Sequence, residues 1–311
     1  MPNCHYFRTS RKTVEVITGT FNFIKPTAVA LWNMRWQYKG YLLENPTATQ
    51  NEINHRFVEG CKIRGANIKA SCSDSSWDDQ LQWFSQILLI QLCAIFESWI
   101  DEILTTLQEN NSRRRSSIAK KLQFPDKYLD GLNQLLTVKS GFQNVFYDGL
   151  KKHKKNNSAH VYELLLCYRY FKECRNSIVH FGGLANSNLI QLESQILQLA
   201  PSSLKLQRIP DIKIIAPDKK IMFDFRGIEI FAEIIIQLIT TYDAELSQSQ
   251  NAEDEFLGLW GEVHGEKKLS RDDHSKRMKQ VMNCLNAIKL PVPLDIQSLI
   301  NYLESKNCVS Y

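Results

Sequence analysis

The sequence predicts a mainly all-α protein, and three observations carry that expectation. Between residues 81 and 107 apolar side chains recur in steps of three and four (Leu81, Phe84, Leu88, Leu92, Ile95, Trp99, Ile103, Leu107), the spacing of one face of a long helix. A second run over residues 228–246 carries Ile230, Phe231, Ile234, Ile235, Leu238 and Ile239 at the same period. A third, over residues 159–179, is amphipathic through Leu164, Leu165, Cys167 and Phe171.

Taken in order, residues 1–26 hold a β-like patch, Val14-Glu15-Val16-Ile17-Thr18-Gly19-Thr20-Phe21, without a strong pattern. Residues 28–43 read as an aromatic helix (Trp32, Trp36, Tyr38, Tyr41) ended by Asn45-Pro46. Residues 47–76 are ambiguous, with Gly60 and Gly65 as breakers. Ser76 is an N-cap candidate for the long helix, and Asp78 and Asp79 suit its first turn. The stretch from Asn110 to Arg115 breaks that helix. Further helices are expected near 126–136 and 142–150, with Ser158 capping the 159–179 helix. A helical piece follows over 190–199. Residues 212–225 alternate as a β-hairpin around Ala216-Pro217-Asp218-Lys219. After the 228–246 helix, residues 248–255 read as a polar joint. Two short helices, 275–288 and 294–303, close the chain. The expected organisation is an N-terminal extension (1–76), a helical bundle (77–250) and a small C-terminal helical segment (251–311).

At 311 residues, with 43% hydrophobic and 23% charged content, the chain is long enough for one main domain with an appendage and a substantial core. The net charge of +5 suits a polyanionic partner without requiring one. The eight cysteines form no C-x-x-C pair and no zinc spacing, so reduced thiols in a cytoplasmic protein are expected. The longest apolar run, 87–96, is interrupted by Gln91 and too short to span a bilayer. No membrane contact, cofactor or metal site is expected.

The segment that concentrates chemistry is Arg175-Asn176-Ser177-Ile178-Val179-His180, closed by Gly182-Gly183. Arginine binds phosphate as a permanent fork, and histidine is the side chain best poised to move protons near neutral pH. Five residues of ideal helix set Arg175 and His180 about 140° apart. They can serve one ligand if the helix tightens at its end, or if two copies meet across a two-fold axis. A plainer reading leaves His180 on the helix-terminal carbonyls and Arg175 solvated or ion-paired.

These residues resemble the HEPN (higher eukaryote and prokaryote nucleotide-binding) family, whose hallmark is Arg, a polar residue, several more residues and His on a core helix. Arg175, Asn176 and His180 match that motif, and Phe96-Glu97 resembles the family's acidic step on the preceding long helix. The likeness covers roughly residues 77–246. It implies a HEPN-like four-helix bundle, commonly a two-fold homodimer with a composite site, and often a metal-independent endoribonuclease. In that case His180 acts as base on the RNA 2′-OH or as acid toward the leaving 5′-oxygen, and Arg175 holds the scissile phosphate. Asn176 orients a phosphate or His180, and Glu97 holds Arg175 or tunes His180 by proximity. The products are a 2′,3′-cyclic phosphate and a 5′-OH. The family's usual setting is that of a toxin or antiviral-defence effector, with a regulatory protein partner possible. A non-catalytic module that binds RNA, nucleotide or a partner protein is the main alternative; a DNA-side factor working through its basic loops is a weaker one.

Two basic clusters are candidate RNA contacts: Lys151, Lys152, Lys154 and Lys155, and Arg113, Arg114 and Arg115. Each also reads as a solvated loop. His264 and His274 read as surface residues, and the pairs Trp32/Trp36 and Trp83/Trp99 as core. Glu97 and Asp101 share a helix face without the second acidic helix that a di-metal site needs.

Overall fold

The computed structural model describes residues 5–136, 143–206, 216–265 and 268–309. In chain order the helices are α1 (Arg8–Glu44), α2 (Gln50–Phe57), α3 (Trp77–Thr106), α4 (Ser112–Lys121), α5 (Tyr128–Leu135), α6 (Gln143–Lys151), α7 (Val161–His180), α8 (Ser187–Ile196), α9 (Phe225–Leu246), α10 (Gln250–His264), α11 (His274–Ala287) and α12 (Ile296–Ser305). The protein is mainly helical, and no β-strand occurs among the described residues.

The four long helices α1, α3, α7 and α9 pack on one another. Trp99 on α3 donates to Ser10 Oγ at 3.1 Å and Gln91 to Thr20 Oγ1 at 3.3 Å, so α1 runs antiparallel to α3. Phe96 meets Tyr168 edge-on at 4.7 Å, with α7 also antiparallel to α3. The core is aromatic where these helices cross. Trp99 stacks on Tyr242 at 6.1 Å, and Phe171 on Phe231 at 4.4 Å. The Tyr242 hydroxyl, buried with the rest, is satisfied by Leu122 O at 2.8 Å. One continuous apolar cluster runs from Tyr6 and Phe7 through α3, α7 and α9 to Leu299 and Leu303 on α12.

The β-like reading of the N-terminus is corrected. The β-branched residues there belong to α1, which is 37 residues and about 55 Å long. Val14, Ile17, Phe21 and Ile24 pack on the core, and their steps of three and four outrank β-propensity. Pro26 lies inside α1 without ending it. The ambiguous stretch holds α2, opened by a capping box in which Thr49 accepts from Glu52 N–H while the Glu52 side chain accepts from Thr49 N–H. A small second core of Tyr38, Ile53, Ile68 and Cys72 lies beneath it. Buried Arg35 fastens this region to α3 by donating to Ser71 O at 2.7 Å, Ser75 O at 2.9 Å and Gln80 Oε1 at 3.0 Å.

Ser76 caps α3 as expected, accepting from Asp79 N–H. The break after α3 is shorter than expected. Asn111 caps α4, so the three arginines sit on a helix rather than in a loop. Ser158 opens a 3-10 turn (Ser158–His160) instead of capping α7. Its neighbour Asn157 fastens that end, donating its N–H to Thr241 Oγ1 at 2.9 Å and its amide to Gln237 Oε1 at 3.1 Å. The first limb of the expected hairpin, 212–215, lies outside the described residues. The second limb makes an isolated bridge, Leu184 with Lys220. The expected polar joint is the start of α10, where Ser249 accepts from Ala252 N–H and buried Glu253 takes the Tyr302 hydroxyl at 2.6 Å.

Two side-chain expectations also fail. His264 is buried beside Trp260, ring centroids 5.1 Å apart. Of the tryptophans read as core, Trp99 is buried, whereas Trp36 and Trp83 are 60% and 55% exposed. The described cysteines are free thiols. Burial pushes Cys93 and Cys167 up to about 12, which keeps them unreactive hydrophobes. No described helix is long and apolar enough to cross a membrane.

Candidate active site

The candidate site is set by the two faces of α7. Leu164, Cys167, Phe171 and Cys174 are buried on one side. Arg169, Lys172, Asn176 and His180 follow at steps of three and four and share the opposite side. The helix holds its α-form through His180, and Phe181 N–H donates to Ser177 O at 2.9 Å as the next regular bond. It therefore neither frays nor tightens before His180. Arg175 and His180 stay about 140° apart within one chain.

Gly182 and Gly183 turn the chain away with φ of +66° and +77°, the left-handed region that glycine enters without strain. Gly183 N–H returns to Ser177 O at 2.9 Å, a second bond on the carbonyl that already takes Phe181 N–H, which closes the helix end. His180 is exposed on the last turn, its ring 6.3 Å from Phe181.

Arg175 is half-buried. Its Nη1 donates to Asn176 Oδ1 at 3.1 Å, which fixes the plane of the guanidinium. Its Nε is buried and has no hydrogen-bond partner among the described residues. A buried donor without a partner is costly to the fold, so only the nitrogens at the exposed edge of Arg175 are open to a ligand. Asn176 thus lies against Arg175 while sharing the face of His180.

Glu97 is engaged by a residue the sequence reading passed over. Lys172 Nζ lies 2.6 Å from Glu97 Oε1 and 2.5 Å from Gln123 Oε1. The expected grip of Glu97 on Arg175 is replaced by this pair with Lys172. The signal for Lys172 was the Arg169, Lys172, Asn176, His180 spacing, which the focus on six consecutive residues hid. Arg169 lies over the Phe124 ring at 4.2 Å. Between α3, α4 and α7 opens a polar cleft of about 460 Å³, lined by Glu97, Asp101, Arg115, Lys120, Gln123 and Lys172.

The two basic clusters separate. Arg115 reaches that cleft and donates to Asp101 O. Arg114 turns away to Glu109 at 3.2 Å and Gln134 O at 2.8 Å, and Arg113 is exposed. Lys151, Lys152, Lys154 and Lys155 lie before the first turn of α7, about 30 Å along the helix from His180. Lys155 is paired with Glu233, Lys151 lies over the Tyr147 ring at 5.4 Å, and Lys152 and Lys154 are exposed. The structure does not bring this cluster to the hexapeptide. No group of three or more His, Cys, Asp or Glu residues placed to hold a metal ion occurs among the described residues. Comparison with protein-family models, with curated proteins and with solved structures found no match to this chain.

Proposed function

We propose that the chain is a HEPN-like helical bundle acting as a homodimeric, metal-independent endoribonuclease. The observation that carries this reading is the state of Arg175. A half-buried guanidinium, oriented by Asn176 through Nη1, supports an anion contact at its accessible edge, while its Nε is buried away from any ligand. His180, exposed one turn and a half further on, supplies the proton transfer. In the reaction the RNA 2′-oxygen loses its proton to a base, bonds to phosphorus and expels the 5′-oxygen, which takes a proton. A 2′,3′-cyclic phosphate and a 5′-OH remain. His180 takes one of these two proton transfers, and Arg175 bears the phosphorane charge.

In the enzyme reading, the divergence of Arg175 and His180 is met by a second copy across a two-fold axis. Val179, Phe181 and Leu184 beside His180 are 47%, 64% and 41% exposed, an apolar surround that a second chain would cover. The cleft with Lys172, Arg115 and Lys120 offers a route for flanking phosphates. In this reading the protein serves as a toxin or defence effector in the cytoplasm. The same divergence favours a second reading, a non-catalytic module that binds RNA, nucleotide or a partner protein through α7 without cleavage.

Labelled RNA incubated in excess chelator separates the two. The enzyme reading predicts 2′,3′-cyclic phosphate ends, with cleavage reduced at least about 100-fold by Arg175→Ala or His180→Ala. RNA left intact but retained by the protein supports the binding module. Cleavage unchanged in both variants would falsify the assigned site.

A further inference from the structure

Trp83 is an exposed aromatic that the core does not use. Its indole forms one wall of a groove of about 510 Å³, within the ~300–1,000 Å³ of small-molecule sites. The opposite walls are Ile178, Gly182 and Gly183 at the end of α7, the bridge residue Lys220, and Met222 beyond it. These walls are locked to each other before any ligand arrives. Buried Gln82 donates to Ile221 O at 3.2 Å and accepts from Phe223 N–H at 2.7 Å. Ile221 N–H donates to Gly183 O at 2.9 Å, and Ala185 N–H to Lys219 O at 2.9 Å. A β-carbon on Gly182 would meet nothing within 4 Å, so no neighbouring atom crowds that wall.

The groove follows Arg175 rather than His180. Ile178 is three residues beyond Arg175, a rise of about 4.5 Å with a turn of about 60°. His180 points to the other side of the helix. We propose that this groove takes one unstacked base of single-stranded RNA, stacked on Trp83, in the nucleotide next to the phosphate held by Arg175. The inference rests on the RNA-cleaving reading above and adds a base subsite to it. An indole face accepts any base, the half-buried Gln86 carboxamide on the same wall offers donors and acceptors to a base edge, and Lys220 meets the flanking phosphate. Asp79 at the mouth accepts from the Ser76 hydroxyl at 2.7 Å and so stays with the cap of α3.

The test uses the full chain carrying His180→Ala, in chelator, with a fluorescent single-stranded oligoribonucleotide of about 12 nucleotides, a length that one strand-binding site covers. Adding Trp83→Ala weakens binding about 10-fold, and Trp83→Phe restores most of it, because a ring remains to stack. Replacing bases by abasic sugars abolishes the difference between the tryptophan and alanine proteins. Binding unchanged by Trp83→Ala overturns the proposal, as does an equal loss on the abasic strand or no RNA binding at all. Loss of a dimer on sedimentation with RNA binding intact also overturns it, assigning Trp83 to a second copy instead. If the protein with His180 intact cleaves RNA while Trp83→Ala leaves binding unchanged, the base subsite falls and the nuclease reading stands. If Trp83-dependent binding occurs without cleavage by the protein with His180 intact, the reverse holds.

Discussion

Asp243, fully buried on α9, shows how single residues fix the frame around the site. It accepts from Tyr6 N–H at 2.5 Å and Phe7 N–H at 3.0 Å, which pins the start of α1 to the core. Burial pushes its carboxyl up to about 6, against the lowering effect of Ser10, Tyr6 and Phe7. His5 beside it, 3.0 Å from Thr240 Oγ1, is held down to about 4 by burial and then by Arg11. The two act with opposite sign. As pH falls from 6.5 to 4 the unfolded chain protonates His5 first, and stability is lost. As pH falls from 6 toward 3.8 the folded chain protonates Asp243 first, and stability is gained. Asp243→Asn removes the gain, so thermal melts should show Tm falling more steeply between pH 6.5 and 4 than in the parent. An equal slope in the two proteins would contradict this account. Arg175, Asn176 and His180 stand out in the sequence as candidates because their spacing is local. Lys172 was not, since its partners Glu97 and Gln123 come from other helices.

Among the elements, α7 combines the most legible features with the least legible contacts. Its amphipathic period and its Gly-Gly stop were plain in the sequence, and its regular last turn is what separates Arg175 from His180. Gly183 is the residue on which that ending depends. A β-carbon there would find room, 3.9 Å from Ile178 Cγ1, but φ of +77° is strained for any other residue. Gly183→Ala should therefore destabilise the fold by about 1–2 kcal/mol, read in chemical denaturation, although no clash is created. No loss of stability would mean that the turn relaxes freely. The N-terminal half of α1 was misread because β-branched residues fill its buried face, and propensity argued against a period that packing on α3 made decisive. α4 was missed because Asn111 reads equally as a breaker and as a cap. Helices α10 and α2 announced themselves through Ser249 and Thr49, signals available in the sequence yet local enough to be taken for turns.

At the scale of the molecule, one apolar cluster ties residues near Tyr6 to those of α12. Phe231, fully buried against Phe171 and Tyr168, lies where α7 and α9 cross. Phe231→Ala should cost about 3–5 kcal/mol and weaken the site indirectly by loosening α7, with Tm and cleavage falling together. That a helical bundle would form was legible from three periodic runs. How its charges would distribute was not: the Lys151–Lys155 cluster and the hexapeptide are close in sequence yet occupy opposite ends of α7. Helical geometry keeps Arg175 and His180 about 140° apart within one chain, and completion of the proposed site by a second copy is the claim on which the functional reading depends. Mixing Arg175→Ala protein with His180→Ala protein, after subunit exchange, tests it directly. If Arg175 of one copy works with His180 of the other, each mixed dimer regains one intact site. Two inactive proteins should then recover about a quarter of the parent's chelator-resistant RNA cleavage. A mixture that stays inactive, beside a parent that cleaves, would contradict the composite site.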